Sequence, residues 1–476
     1  MPTVPRRALC WIRRDLRLHD HAALTLATQL ADEVVVAFVF DTTILDLLVD
    51  KDDKRVSFIH QSLQELDSKL QRHGSKLVVR HGDPVVEIPA LAQALGCTDV
   101  IAGRDYEPSS ILRDASVVTA LGAAGVQFQT VKDTVIFEGG EILSQSGTPF
   151  RVYTPYSNAW RGKFDHETCA GPLNPDLGKL VPAADLESHS SSWSFEDLGF
   201  SETSPSVPAG EDAGLASLDR FVSVVPRYSE DRDFPAKQGT SGLSVHLRFG
   251  TISIRDAVRM ALSQDSKGAG KWLAELIWRD FYQDLLFHNP HVVTHAFQPQ
   301  FDSVEYPGET SWFDAWCEGQ TGYPLIDAAM RCLLATGWMH NRLRMVVASF
   351  LTKDLLIDYR RGESHFARYL LDFDLATNTG GWQWAASTGA DAQPYFRIFN
   401  PVLQSLKFDP DGEFIRKWVP ELSMLYGKSI HWPHEASAME LGGANVVIGE
   451  TYPHPMVNHH LQRDKAIRLL ETAKKQ

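Results

Sequence analysis

The chain has 476 residues, 43% hydrophobic and 22% charged, with a net charge of −14, more than one ordinary core can use and ordinary for a globular protein. No apolar run reaches the roughly eighteen residues of a membrane helix, and no apolar stretch follows Arg6 and Arg7, so neither a membrane span nor a secretory signal is expected. Five scattered cysteines without a CxxC pair exclude a disulfide framework and structural zinc, leaving a reduced, cytoplasmic protein as the expectation.

The first third alternates strand and helix. Short apolar or β-branched runs at 8–12, 34–40, 76–79, 99–102 and 126–131 read as buried parallel strands. Helical patterns at 56–70 and 84–95 lie between them, and Gly74, Gly96 and Gly125 sit where helices should stop. The fold class is therefore α/β, a doubly wound, Rossmann-like domain over 1–164. No GxGxxG follows its first strand, so this domain is not expected to hold a dinucleotide by the usual fingerprint. Ser, Pro, Asp and Glu accumulate over 165–212, an irregular interdomain connector. The remainder, 213–476, reads as an all-α domain, with helical spacing at 272–287, 324–336, 342–359, 362–371 and 457–475.

The acidic balance argues against indiscriminate nucleic-acid binding, which needs Lys and Arg on phosphates. The stretch 331–417 is nevertheless near neutral, so a local basic groove is compatible with it. Nine of the twelve tryptophans lie at or after Trp272, which makes the helical part the place for stacking or electron transfer if they do more than fill a core.

Four segments carry chemistry. Asp372 to Trp384 packs Asp372, Asp374, Asn378, Gly380, Gly381, Trp382 and Trp384 into thirteen residues. A capped helix start would explain any one of them, but the density favours a ligand wall. Arg342 and Arg344 stand two apart and point to different sides of a helix; one is free to pair with Asp372 while the other faces a groove. Thr240, Ser241, Gly242, Leu243 and Ser244 bring three hydroxyls and a glycine before a helical pattern, suited to phosphate or to a plain cap. Trp272, Glu275, Trp278 and Arg279 share one helix face, where a carboxylate among indoles implies a polar contact. His288, His291 and His295 have metal-like spacing, but Pro290 breaks the helix, and no metal is expected. Gly268 to Lys271 is followed by Trp272 where a phosphate loop needs Ser or Thr.

Together with Trp11 to Asp20 and Thr321 to Arg331, these segments resemble the photolyase and cryptochrome family along nearly the whole chain, closest to the class I cyclobutane pyrimidine dimer photolyases. The resemblance implies an N-terminal antenna domain, a C-terminal domain holding FAD, and light-driven splitting of cyclobutane pyrimidine dimers in single- or double-stranded UV-damaged DNA by a monomer. It implies that Tyr228, Thr240, Ser241, Gly242, Leu243, Ser244, Trp272, Glu275, Arg279, Asn341, Arg344, Asp372, Phe373, Asp374 and Asn378 line the FAD, with Asn378 facing flavin N5. A neutral amide there adds no second negative charge beside the reduced anionic flavin. Glu275, Trp278, Tyr282, Asn341, Arg342, Met345 and Trp384 would wall the lesion, and Arg232, Arg342, Arg397 and Gln404 would hold the DNA backbone. Glu275, Asn378 and Trp382 would be catalytic.

Within the family, enzymes for the (6-4) lesion carry His at the positions of Asn341 and Met345. Plant-type cryptochromes tend to Asp at Asn378 and Tyr at Trp384. Dimer repair is therefore expected, with a blue-light photoreceptor lacking repair as the alternative. Two departures stand out. The family reduces FAD through three tryptophans, whereas here Trp382 is followed by Tyr359 and Tyr306, leaving either the tyrosines or a detour through Trp384 and Trp316. Folate-binding members carry an acidic residue where this chain has Ser110, which weakens folate and keeps deazaflavin, flavin or no second chromophore open.

Overall fold

The structure is a computed structural model that describes residues 5–165 and 169–475. It divides into two compact units: Met1–Pro149 with Tyr156–Pro226 and Ser241–His288, and Phe150–Pro155 with Arg227–Thr240 and Asn289–Gln476.

In the first unit five parallel strands, β1 (Arg7–Ile12), β2 (Glu33–Asp41), β3 (Val78–Gly82), β4 (Asp99–Gly103) and β5 (Gln127–Val131), lie in the order β3-β2-β1-β4-β5. Leu9 pairs with Val35 on one side and Val100 on the other. Val34 to Phe40 is buried along its whole length, the pattern of a strand covered on both faces by helices. Gly74, Gly96 and Gly125 take φ of 76°, 64° and 70° just past helix ends, a left-handed turn that a side chain would strain. β3 begins later than the sequence pattern indicates because the Leu77 N–H is taken by Asp67, 2.8 Å away. The ladder therefore starts with Val78 opposite Ala37.

The expected connector holds short helical turns, among them Leu177–Lys179 and Phe195–Leu198, and falls within the first unit. Val181 donates to the Val34 carbonyl at 3.0 Å and Ser191 to that of Val79 at 2.8 Å, so the sheet itself holds it.

The second unit is helical and is built on one large apolar cluster that includes Trp316, Met330, Leu343, Phe366 and Trp382. Helix Pro324–Thr336 has the expected bounds. The expected helix over 342–359 is broken instead: Asn341–Ser349 runs into a π-helical turn, Phe350–Asp354, and Leu356 has a φ of 53°. The cause is Lys353. Its ammonium is fully buried and must find acceptors, which are the Ala386 carbonyl and Ser387 Oγ, each at 2.9 Å. A new helix, Tyr359–Tyr369, starts earlier than the expected 362, with the Asp358 side chain accepting from the Arg360 N–H. No helix among the described residues is long and apolar enough to cross a membrane, and none of their side chains form a group of three or more metal ligands.

Helix Lys267–His288 in the first unit carries two buried carboxylates that pattern reading passed over. Asp280 accepts from the N–H groups of Ile136 and Phe137 and from the Trp160 indole, and Asp284 from the Gly140 N–H at 3.3 Å. Burial pushes their carboxyls up to about 6 and about 7. In the unfolded chain Asp284 ionises near 3.8, so between these values the native state holds the extra proton. The stability this contributes is full at low pH and is lost as pH rises through about 7. Asp284→Asn keeps an oxygen for Gly140 and cannot ionise. Urea midpoints of parent and variant should converge at acidic pH and separate in the variant's favour in mild alkali; a parent that gains on the variant with rising pH would contradict the assignment.

Candidate functional site

The residues singled out in the sequence fall into two sets, one in each unit. In the first unit, helix Lys267–His288 carries Trp272, Glu275, Trp278, Arg279 and Tyr282. Gly268 admits this helix to the Val225 and Pro226 carbonyls, where any Cβ would collide with backbone. Trp272 is buried against Phe221 with ring centres 5.0 Å apart, as a core residue would be. Glu275 keeps 28% of its side chain exposed, and Lys271 lies 3.8 Å from its carboxylate. Trp278 is half-buried, with Phe281 and Tyr282 each 5.5 Å away centre to centre. The Arg279 guanidinium donates to the carbonyls of Thr134 and Leu247, which ties the helix to its own unit. Of the hydroxyl run, Ser241 Oγ accepts from the Leu243 N–H at 3.3 Å, and Gly242 has a φ of 68°. The helix that follows, Ser244–Phe249, has only six residues.

The second unit holds Tyr228, Arg232, Thr240 and every candidate from Tyr306 onward. Arg344 donates to both oxygens of Asp372, at 3.0 and 2.7 Å, the pairing that their types allowed. Asp372 is buried, and Arg344 is further fixed by a bond from Nε to the Met339 carbonyl. Asp374 is the N-cap of helix Leu375–Ala386, accepting from Thr377. For that carboxylate the plain capping role is realised. Asn378 is buried on the next turn, and its Nδ2 donates to Glu363 twice, to Oε1 at 2.8 Å and to the backbone oxygen at 3.2 Å. Phe373 and Trp384 pack partly buried against the apolar cluster. A Cβ at Gly381 would meet nothing of the chain, so no internal packing demands glycine there.

Trp382 is buried with no partner for its indole N–H. Trp316 lies edge-on to it with ring centres 6.1 Å apart and satisfies its own N–H on the Val347 carbonyl at 3.2 Å. The phenols of Tyr359 and Tyr306 are buried and have no hydrogen-bond partner. Burial pushes Tyr359 up to about 12 and raises Tyr306 further.

Arg342 bridges Asp233 at 3.0 Å and the face of Phe408 at 4.5 Å, and one of its nitrogens lies 3.7 Å from Met345 Sδ. Asn341 beside it is exposed. Arg232 lies over the Tyr228 ring at 5.1 Å. Arg397 is exposed and Gln404 half-buried, near two residues the sequence did not single out, Phe396 and Leu403, exposed to 59% and 61%. Large apolar side chains left in water beside cationic ones suit a nucleic-acid surface with unstacked bases. Glu363 was missed as well; nothing in its own neighbourhood marks it, since its significance comes from a residue fifteen positions away.

Ser110 sits buried in the first turn of helix Pro108–Ala123, where no acidic side chain occurs. The sheet order reverses between β1 and β4, the usual ligand crevice of such sheets. Around it Arg13 pairs with Asp114 at 2.6 Å, and Arg14 with Asp105 at 3.3 Å and Glu107 at 3.1 Å.

A family model described as the FAD binding domain of DNA photolyase matches residues 272–472, and one described as DNA photolyase matches residues 8–174. The chain is 39% identical over 486 residues to the deoxyribodipyrimidine photo-lyase of Halobacterium salinarum, covering 98% of this chain and 99% of that one. A bacterial class III photolyase structure from Agrobacterium tumefaciens superposes with a TM-score of 0.91 at 35% identity, covering 100% of this chain and 99% of that one. An archaeal photolyase from Sulfolobus tokodaii, solved with two FAD molecules with the implication of a novel light-harvesting cofactor, superposes with a TM-score of 0.82 at 33% identity, covering 98% and 100%. With such matches running end to end, the chain belongs to the DNA photolyase family.

Proposed function

We propose that this protein is a deoxyribodipyrimidine photo-lyase, using light and FAD to split cyclobutane pyrimidine dimers in DNA. The observation that carries the reading is helix Leu375–Ala386 with its clasp: Arg344 locked on Asp372, an amide at Asn378 and indoles at Trp382 and Trp384, within the region matched by the FAD-binding model. Plant-type light-sensing relatives tend to carry a carboxylate at the position of Asn378 and a phenol at that of Trp384. The protein acts in the cytoplasm as a monomer on single- or double-stranded UV-damaged DNA.

The donor set suits FAD. The hydroxyls of Thr240, Ser241 and Ser244, with the backbone of Gly242 and Leu243 among them, would take the diphosphate. Tyr228, Trp272, Arg279, Asn341, Arg344, Asp372, Phe373 and Asp374 line the rest. Reduced FAD, once excited, supplies the electron that the dimer needs.

The chain's own residues do the remaining work. The lesion leaves the duplex stack, at a lower cost than an intact base step, and stacks on indoles, for which Trp278 and Trp384 are the candidates. Tyr282 and Met345 complete the apolar wall. The half-exposed Glu275 carboxyl hydrogen-bonds a pyrimidine and steadies the charge that develops as two C–C bonds break. With that electron handed back to the bound FAD, the splitting would be redox-neutral. Arg232, Arg342, Arg397 and Gln404 grip the phosphates, Arg342 held ready by Asp233 and Phe408.

The first test mixes purified, FAD-reduced protein with UV-damaged oligothymidylate and follows recovery of pyrimidine absorbance. Recovery is expected under blue light and not in the dark. Glu275→Ala should lower the repair yield by about tenfold, the order of one charge-assisted hydrogen bond. Recovery absent in the parent, with FAD bound and reduced, would sink the repair reading.

For refilling the flavin with electrons, the contact between Trp316 and Trp382 supports the indole detour over the tyrosine route. An oxidised phenol sheds its proton, and among the described residues neither the Tyr359 nor the Tyr306 hydroxyl has a hydrogen-bond partner to take it. Trp316→Phe should cut photoreduction several-fold in transient absorption, whereas Tyr359→Phe should leave it nearly unchanged. The reverse ranking would assign the route to the tyrosines.

A further inference from the structure

We infer that Asp233 stands in for a DNA phosphate between Arg232 and Arg342 and thereby loosens the protein's grip on the DNA backbone; this rests on the reading above that these two arginines hold that backbone. All three side chains belong to the second unit. One carboxylate oxygen, Asp233 Oδ1, lies 3.0 Å from Arg342 Nη2 and 3.8 Å from Arg232 Nε. An anionic oxygen shared by two guanidiniums is the arrangement a phosphate oxygen makes with the same groups. The Asp233 side chain keeps 34% of its surface exposed, against 19% for Arg342 and 13% for Arg232, so the anion is the member of the trio most open to an incoming ligand.

The two cations are held independently of their anion. Arg232 lies over the Tyr228 ring at 5.1 Å and Arg342 over that of Phe408 at 4.5 Å. Arg342 also has donor capacity to spare. Its Nη2 goes to Asp233, but the contact of its Nη1 is the Met345 thioether at 3.7 Å, a weak acceptor. A phosphate oxygen at that nitrogen would replace a poor contact with a charge-assisted bond.

The neighbouring charges make Asp233 decisive. From Arg227 to Lys237 the segment carries three acidic and three basic side chains, so it brings no net positive charge of its own. Asp231 is spent on Arg227 at 3.1 Å and on Lys237 at 2.6 Å. His340, whose Nδ1 accepts from the Arg342 backbone N–H at 3.2 Å, adds no cation at neutral pH, because burial pushes it down to about 4. Two arginines and one aspartate thus offer DNA a single positive charge where two would stand without the carboxylate. Each phosphate neutralised releases about 0.9 of a counterion, so Asp233 takes about one from the slope of log affinity against log salt. Phosphate contacts carry no information about the bases. A grip loosened here leaves recognition to the flipped dimer and lets repaired DNA leave.

The test measures binding in the dark by the FAD-loaded full chain to a duplex with one thymine dimer and to its undamaged counterpart, across a salt series. Asp233→Asn keeps an oxygen for Arg342 and drops the charge. It should bind both duplexes roughly threefold tighter at low salt, with a slope steeper by about one. Asp233→Ala should move both readings in the same direction and carries the test should the amide disturb the fold. Glu230→Gln makes the same change in net charge on an exposed side chain of the same segment and should move either reading by less than half as much. Weaker binding in Asp233→Asn, the result for an aspartate that merely holds Arg342 in place, overturns the inference. So does equal tightening in Glu230→Gln, which would mark an effect of net charge alone. Arg342→Gln should weaken binding and flatten the slope by about one. An unchanged slope in that variant would instead overturn the backbone role of Arg342 on which the inference rests.

Discussion

Helix Leu375–Ala386 is fastened at its two ends by buried polar groups, and the candidate site depends on that fastening. Asp374 caps its start, and Lys353 caps its end through the Ala386 carbonyl and Ser387 Oγ. A cation at a helix C-terminus answers both the unpaired carbonyls and the helix dipole. Among the described residues Lys353 has no carboxylate partner, and burial pulls its ammonium down to about 7. In its last turn, the Gln383 amide donates to the Val292 and His295 carbonyls and accepts from the Phe297 N–H. With these polar groups committed, the helix has little freedom to rotate or slide, and the directions of Asn378, Trp382 and Trp384 follow.

The same principle governs the first unit with charges of both signs. Arg17 and Arg255 share Asp133 at 2.7 and 2.8 Å, and Arg255 and Arg259 share Asp20 at 3.1 and 2.8 Å. All are largely or fully buried, so removing one member would strand the others at a cost of several kcal/mol. The network joins the loop after β1, the turn after β5 and helix Ile254–Ser263. The ends of the strands are thus fixed by ion pairs where the apolar core stops.

Electron supply shows how a departure in sequence can be absorbed by packing. Replacing indoles with phenols at Tyr359 and Tyr306 asks for proton acceptors, and among the described residues neither hydroxyl has a hydrogen-bond partner. Trp316, fully buried and bonded to Val347, touches Trp382 from another helix, so an indole neighbour is preserved.

Local patterning determined a good part of this protein. Buried runs such as Val34 to Phe40, the helix stops at Gly74, Gly96 and Gly125, and the bounds of Pro324–Thr336 all depend on residues within a turn or two, and periodicity records them. The pairing of Arg344 with Asp372 was within reach because only a few partners of the right charge lay on the segments concerned. Tertiary structure decided the rest. Nothing near Lys353 shows that it would interrupt a helix to reach Ala386, thirty-three positions on. Helical spacing alone does not mark Asp280 and Asp284 as buried; the segment from Ile136 to Gly140, far off in sequence, bonds to them. The Asn378 amide offered two orientations until Glu363 arrived from a separate helix. Periodicity reports which face of an element is buried; what a buried polar atom bonds to is decided by whichever chain segment packs on that face, because desolvation makes a partner obligatory without specifying where in the sequence it comes from.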